Sequence, residues 1–236
     1  MWRHMKPAVD VFTTVLMCAV ASAMLWNLMQ PAPQRPGGNA RPNVESVSGL
    51  TIAADEITHA RGGGRVALVE FADYECPYCA KHTQETGPSI KKEWLDSGDV
   101  TQVFFSFPLP IHPRAPKASE AAECAARQGR FWEMHEQLFA EPTALDLPDL
   151  SARARKIGLD EAAFQRCLDS GETAERIRQD MQIARRLGVN STPSFFLGTV
   201  KADGTIDLVT KINGARPFDE FESAVEKLRP TRQARR

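Results

Sequence analysis

Apolar residues fall into three patterns along the chain. From Val11 to about Met29 nearly every position is apolar, and only Thr13, Thr14, Ser22 and Asn27 interrupt the run. From Gln30 to about Ser48 there is no periodic apolar face. Pro31, Pro33, Pro36, Pro42, Gly37 and Gly38 read there as an extended, flexible tether. Beyond it, short apolar blocks alternate with helical spacing, as in a folded domain.

The first block, Arg65 to Ala72, is bounded by Gly62-Gly63-Gly64 and a polar turn, and it predicts a buried strand. A helical pattern runs from there through about Trp94-Leu95 to a stop at Gly98. Val100 to Phe107 is a second β-branched and aromatic run, stopped by Pro108 and Pro110. Strand, helix, strand implies a parallel pair with a right-handed crossover. A helical region then spans Ser119 to Phe139, followed by helices over Leu150–Ile157, Glu161–Leu168 and Glu172–Leu187. Ser194–Leu197 and Leu208–Ile212 read as a closing hairpin, and Phe218, Phe221, Val225 and Leu228 mark one face of a last helix. The fold class is therefore α/β: a small central sheet carrying an inserted helical subdomain at about 115–188.

The first apolar run changes the picture from one domain to a domain with a leader. Roughly 18 apolar residues can cross a bilayer. Arg3, His4 and Lys6 before the run place its start in the cytoplasm and the rest of the chain outside. Residues 1–29 read as a retained signal-anchor, and Ala21-Ser22-Ala23 keeps a cleaved signal peptide open. Cys18 reads as a cysteine in an apolar segment. Residues 30–48 form the linker, 49–230 the folded domain and 231–236 a solvated basic tail. The formal net charge of −1 supplies no global field toward nucleic acid.

Cys76-Pro77-Tyr78-Cys79 lies where the first strand feeds the first helix. There the unpaired N–H groups and the helix dipole favour a thiolate at Cys76. Pro77 suits the first helical position. Lys81 and His82 add positive potential, and Glu75 opposes it. As a structural staple so short a loop would stabilise little. A zinc site could recruit Cys76, Cys79 and His82, but no second ligand pair completes it, so no metal is expected. Redox chemistry is the reading that this context requires. Glu70 is a charge inside an otherwise apolar strand, either a partly exposed strand end or a buried functional acid. Thr192-Pro193 reads as a turn before a strand, and His112 as a surface-loop histidine.

Val69 to Cys79 resembles the active-site segment of the DsbA-like family of thioredoxin-fold proteins. Gly188 to Phe196 is similar to that family's cis-proline segment, and Ala122-Glu123-Cys124-Ala125 through Gly129-Arg130-Phe131-Trp132 to its helical insert. The resemblance covers about residues 50 to 228. It implies a thioredoxin-like sheet, an exposed nucleophilic Cys76 and a buried resolving Cys79. It also implies a cis Pro193 against the disulfide and a Thr192 backbone that binds peptide beside Pro77 and Tyr78. Glu70 would handle the Cys79 proton. Cys124 and Cys167, left over in an oxidising compartment, would pair as in some members.

The resemblance further implies a monomeric dithiol oxidase that needs no cofactor. It would act on exported protein or peptide thiols and be reoxidised by a quinone-linked membrane partner. An isomerase or reductase of the same fold is the alternative, and a redox-inactive peptide-binding module is another. Family isomerases usually carry an added N-terminal dimerisation domain, which favours the oxidase here.

Overall fold

A computed structural model describes residues 43–229. The segment read as an anchor and most of the linker lie outside the described residues, as does the basic tail. Among the described residues no helix is long and apolar enough to cross a membrane.

The described residues form one six-stranded sheet with helices on both faces. Strand β1 (Val44–Ile52) is followed by a 3-10 turn (Ala54–Glu56) and the short β2 (Ala60–Gly62). β3 (Val66–Ala72) leads into helix α1, residues 77–95, and then β4 (Val100–Ser106). Five helices follow: α2 (Ala115–Ala126), α3 (Phe131–Ala140), α4 (Leu147–Lys156), α5 (Glu161–Ser170) and α6 (Ala174–Arg186). β5 (Ser194–Val200), β6 (Ile206–Asn213) and α7 (Phe218–Leu228) close the fold. The sheet order is β1-β6-β5-β3-β4-β2, with β3 and β4 parallel and the other pairs antiparallel. This is the thioredoxin-like sheet with an inserted helical subdomain.

β3 is buried along its whole length, so its alternation appears only in what each face meets. Ala67, Val69 and Phe71 pack with Ile183 and Ala184 of α6 and with Leu187 at its C-cap. Val66 and Leu68 pack with Ile90 and Trp94 of α1 and Phe221 and Val225 of α7. The strand's period of two puts Glu70 on the Leu68 face, toward α1.

Two sequence expectations are corrected and a third is extended. The linker does not reach Ser48, because β1 begins at Val44 and pairs with β6 from the Val44–Ile212 pair onward. The Gly62-Gly63-Gly64 run does bound β3, and Gly62 is in addition the last residue of β2, opposite Thr101. A Cβ on Gly62 would lie 2.2 Å from the Val100 carbonyl oxygen, so only glycine lets β2 lie this close. The helical region from Ser119 to Phe139 is two helices, because Gly129 adopts φ +73° between α2 and α3.

Candidate functional site

The thiol site is built at the carboxyl end of β3. Cys76 is the N-cap of α1, and Pro77 occupies the first turn, where its missing N–H costs nothing. The amides of Cys79 and Ala80 both donate to the Cys76 carbonyl at 3.1 Å, winding the first turn so that the second thiol returns beneath the first. Both cysteines carry free thiols.

Their acidities are driven apart. The Cys79 thiol, hydrogen-bonding to the Cys76 sulfur, is the largest influence and lowers the Cys76 pKa to about 5, against the opposing effect of burial. The Thr192 side chain and the backbone N–H groups of Cys79 and Tyr78 also favour the thiolate. Burial pushes the Cys79 thiol well above its ordinary value, and the neighbouring Cys76 and Glu70 add to the push. One sulfur is ready to ionise and the other is not, which is the asymmetry that disulfide exchange uses.

The peptide bond between Thr192 and Pro193 is cis. The Cys76 thiol donates to the Thr192 carbonyl at 3.6 Å. The buried Thr192 Oγ1 has no hydrogen-bond partner of its own, and a hydroxyl can donate to a thiolate. The expected exposure of Cys76 is corrected, because the residue is only 3% exposed beneath this segment. Pro77 is exposed and Tyr78 is 63% exposed, so the rim is open while Cys76 itself is covered.

Glu70 is 1% exposed, which excludes the reading as a solvated strand end. Burial raises its carboxyl to about 7, and the Gln102 hydrogen bond and the Arg61 charge only partly offset this. Gln102 Nε2 donates to Glu70 Oε2 at 3.2 Å, while Glu70 Oε1 has no partner.

Two local readings are corrected. His82 contributes no positive charge. It is buried against the Phe195 and Phe221 rings, and burial lowers its pKa to about 3. Glu75 does not oppose the thiolate as a bare charge. Burial would raise its carboxyl, but the Arg114 backbone N–H and guanidinium outweigh this and hold it below the usual range.

Sequence reasoning missed the role of Asp73. Its buried carboxylate accepts from the amides of Glu75 and Leu109, each at 2.7 Å, and lies 2.8 Å from His112 Nδ1. His112 is thus half of a tie between the 108–114 loop and the turn before Cys76, not a free surface histidine. The signal available was a second acid beside an apolar strand end, which sequence alone could not tell from a turn residue. Tyr74 was missed likewise. Its hydroxyl lies 3.2 Å from His135 Nδ1, and it joins the same turn to α3.

Cys124 of α2 and Cys167 of α5 are joined by a disulfide within the helical insert. Among the described residues no group of His, Cys, Asp and Glu is arranged to hold a metal ion.

Comparison with known proteins follows the same lines. A family model described as Thioredoxin matches residues 63–227. The fold is similar to BdbD from Bacillus subtilis, with a TM-score of 0.64, 23% identity and coverage of 78% of this chain and 97% of that one. It is also similar to Pseudomonas aeruginosa DsbA2, with a TM-score of 0.57, 27% identity and coverage of 72% and 93%. A curated relative, Na(+)/H(+) antiporter NhaA 3 from Salinispora tropica, is 34% identical over 234 residues, 95% of this chain and 35% of that protein. The chain thus spans about a third of the length of the curated relatives it matches first. From the cysteine pair at the strand-to-helix junction, the cis-proline beside it, the helical insert and the matched family model, the chain belongs to the thioredoxin family, in its DsbA-like form.

Proposed function

We propose that the protein is an extracytoplasmic thiol–disulfide oxidoreductase that acts as a dithiol oxidase through Cys76 and Cys79. The observation that carries this reading is the Cys76 pKa of about 5 beside a Cys79 thiol held far above it. A stabilised Cys76 thiolate is a good leaving group, and it favours the reduced enzyme over its disulfide, so the disulfide is oxidising.

In the oxidised enzyme a substrate thiolate attacks the Cys76 sulfur. The Cys76–Cys79 bond breaks, Cys79 leaves and takes a proton from Glu70, and a mixed disulfide remains on Cys76. The substrate's second thiolate then attacks its own bonded sulfur, and Cys76 departs as the thiolate. The substrate has lost two electrons and the cysteine pair has gained them. Pro193 and Thr192, with Pro77 and Tyr78 at the rim, position the substrate chain. No cofactor takes part between the two sulfur pairs. Residues 1–29 tether the domain outside the cytoplasmic membrane through the 30–42 linker. A quinone-linked membrane partner restores the disulfide, and the domain works as a monomer on exported thiols.

The same stabilised thiolate would serve an isomerase or reductase, which works from the reduced state. Equilibrating the purified protein with glutathione buffers separates the two. The oxidase reading expects a potential of about −120 to −180 mV, and a value of about −270 mV, as in thioredoxin, sinks it. Cys76→Ser tests for a redox-inactive peptide-binding module, because such a module keeps all its measurable function while an oxidoreductase loses turnover.

A further inference from the structure

Strand β2 is three residues long and the sequence gives little sign of it, yet it delivers one side chain to the interior. Its central residue, Arg61, pairs directly with Gln102 of β4. Gln102 is in turn paired with Leu68 of β3, two residues before Glu70 on the same face. The three side chains form a line. Arg61 Nε donates to Gln102 Oε1 at 2.8 Å, and Gln102 Nε2 donates to Glu70 Oε2 at 3.2 Å. Arg61 is itself fixed, with its guanidinium 4.1 Å from the centre of the Trp132 ring and Nη1 3.0 Å from Glu136 Oε1.

We propose that Arg61, acting through Gln102, is a positioning residue for the Glu70 carboxyl. A glutamine amide can face a carboxyl with either its oxygen or its NH2 group. Arginine only donates, so Arg61 must face the amide oxygen. Gln102 therefore always turns its NH2 group to Glu70. Oε2 is occupied as an acceptor, and the proton is confined to Oε1, the carboxyl oxygen without a partner. After Glu70 gives its proton to the leaving Cys79 sulfur, the new carboxylate already faces a fixed donor. Without Arg61 the amide can flip, offer its oxygen to a protonated Oε2 and hold the proton there.

This inference rests on the reading of Glu70 as the acid for Cys79. The test uses full-length protein carrying Arg61→Met, which keeps an apolar stem against Trp132, and Gln102→Met as a second variant with an independent chance of folding. The Glu70 carboxyl is titrated by carbon-13 NMR, the Cys76 thiolate by its absorbance near 240 nm, and the Cys79 step by stopped-flow. Both variants are expected to raise the Glu70 midpoint and slow the Cys79 step at neutral pH about tenfold, a part of what general acid catalysis supplies. The Cys76 midpoint is expected to stay in place. The slowing is expected to vanish in a Glu70→Gln background, where a merely structural effect would persist. If Glu70→Gln alone leaves the Cys79 step unchanged, the reading of Glu70 fails. If Glu70→Gln slows that step while Arg61→Met and Gln102→Met leave midpoint and rate untouched, the role of Arg61 fails by itself.

Discussion

At the scale of single residues, the protein separates two chemically identical thiols by what each sulfur meets. The reduced protein should show a thiolate titrating at about pH 5, assigned to Cys76 because Cys76→Ser removes it. Thr192→Val keeps the carbonyl that accepts from the thiol and deletes the hydroxyl that can answer the thiolate. Its thiolate midpoint should therefore rise, by up to about one unit for one lost hydrogen bond of ~1 kcal/mol. An unchanged midpoint would remove Thr192 Oγ1 from the account of the site. Cys76, Cys79 and Glu70 were legible as candidates because few residue types suit that chemistry in that context. Asp73 and His112 were not, since a carboxylate and an imidazole at loop positions give no sign of meeting across 39 residues.

At the scale of elements, legibility followed periodicity. α7 appears with the bounds its apolar face predicts, and β3 and β4 fall within a residue of their apolar runs. β1 was hidden because its pairing register shifts between Ser46 and Leu50, which breaks the alternation and leaves only Ile52 fully buried. β2 was hidden because three residues ending in glycine carry no period at all. The helices of the insert hold together partly through the Cys124–Cys167 bond, which closes a 43-residue separation between α2 and α5. Replacing both cysteines with alanine should lower unfolding stability by about 2–4 kcal/mol, read as a lower urea midpoint. Because this pair lies in the insert and not at the thiol site, the Cys76 titration should not move. A shifted titration would show that the insert sets the chemistry of the site.

At the scale of the whole molecule, two buried groups bend the stability–pH curve in opposite directions. Glu70 titrates at about 7 in the fold against 4.5 without its surroundings, so the fold binds its proton more tightly than the unfolded chain does. Its contribution is full below pH 4.5 and is lost as pH rises through 7. Glu70→Gln should therefore gain about 3 kcal/mol of stability at pH 8 relative to wild type and little at pH 4, while slowing the Cys79 step. His82 titrates at about 3 against 6.5, so the unfolded chain binds its proton first and stability falls as pH drops from 6.5 toward 3. In His82→Phe the slope of stability against pH between 6.5 and 4 should flatten, whatever the variant's absolute stability. Parallel wild-type and variant curves would show that the ring does not stay neutral in the fold.

The covering of Cys76 by the Thr192 segment has one more consequence. Cys76, 3% exposed as a residue beside an open rim, favours approach by a narrow, extended strand over a cysteine set in a convex folded surface. Unfolded chains should therefore react with the Cys76–Cys79 disulfide faster than native proteins carrying the same cysteines, and equal rates in stopped-flow would overturn this.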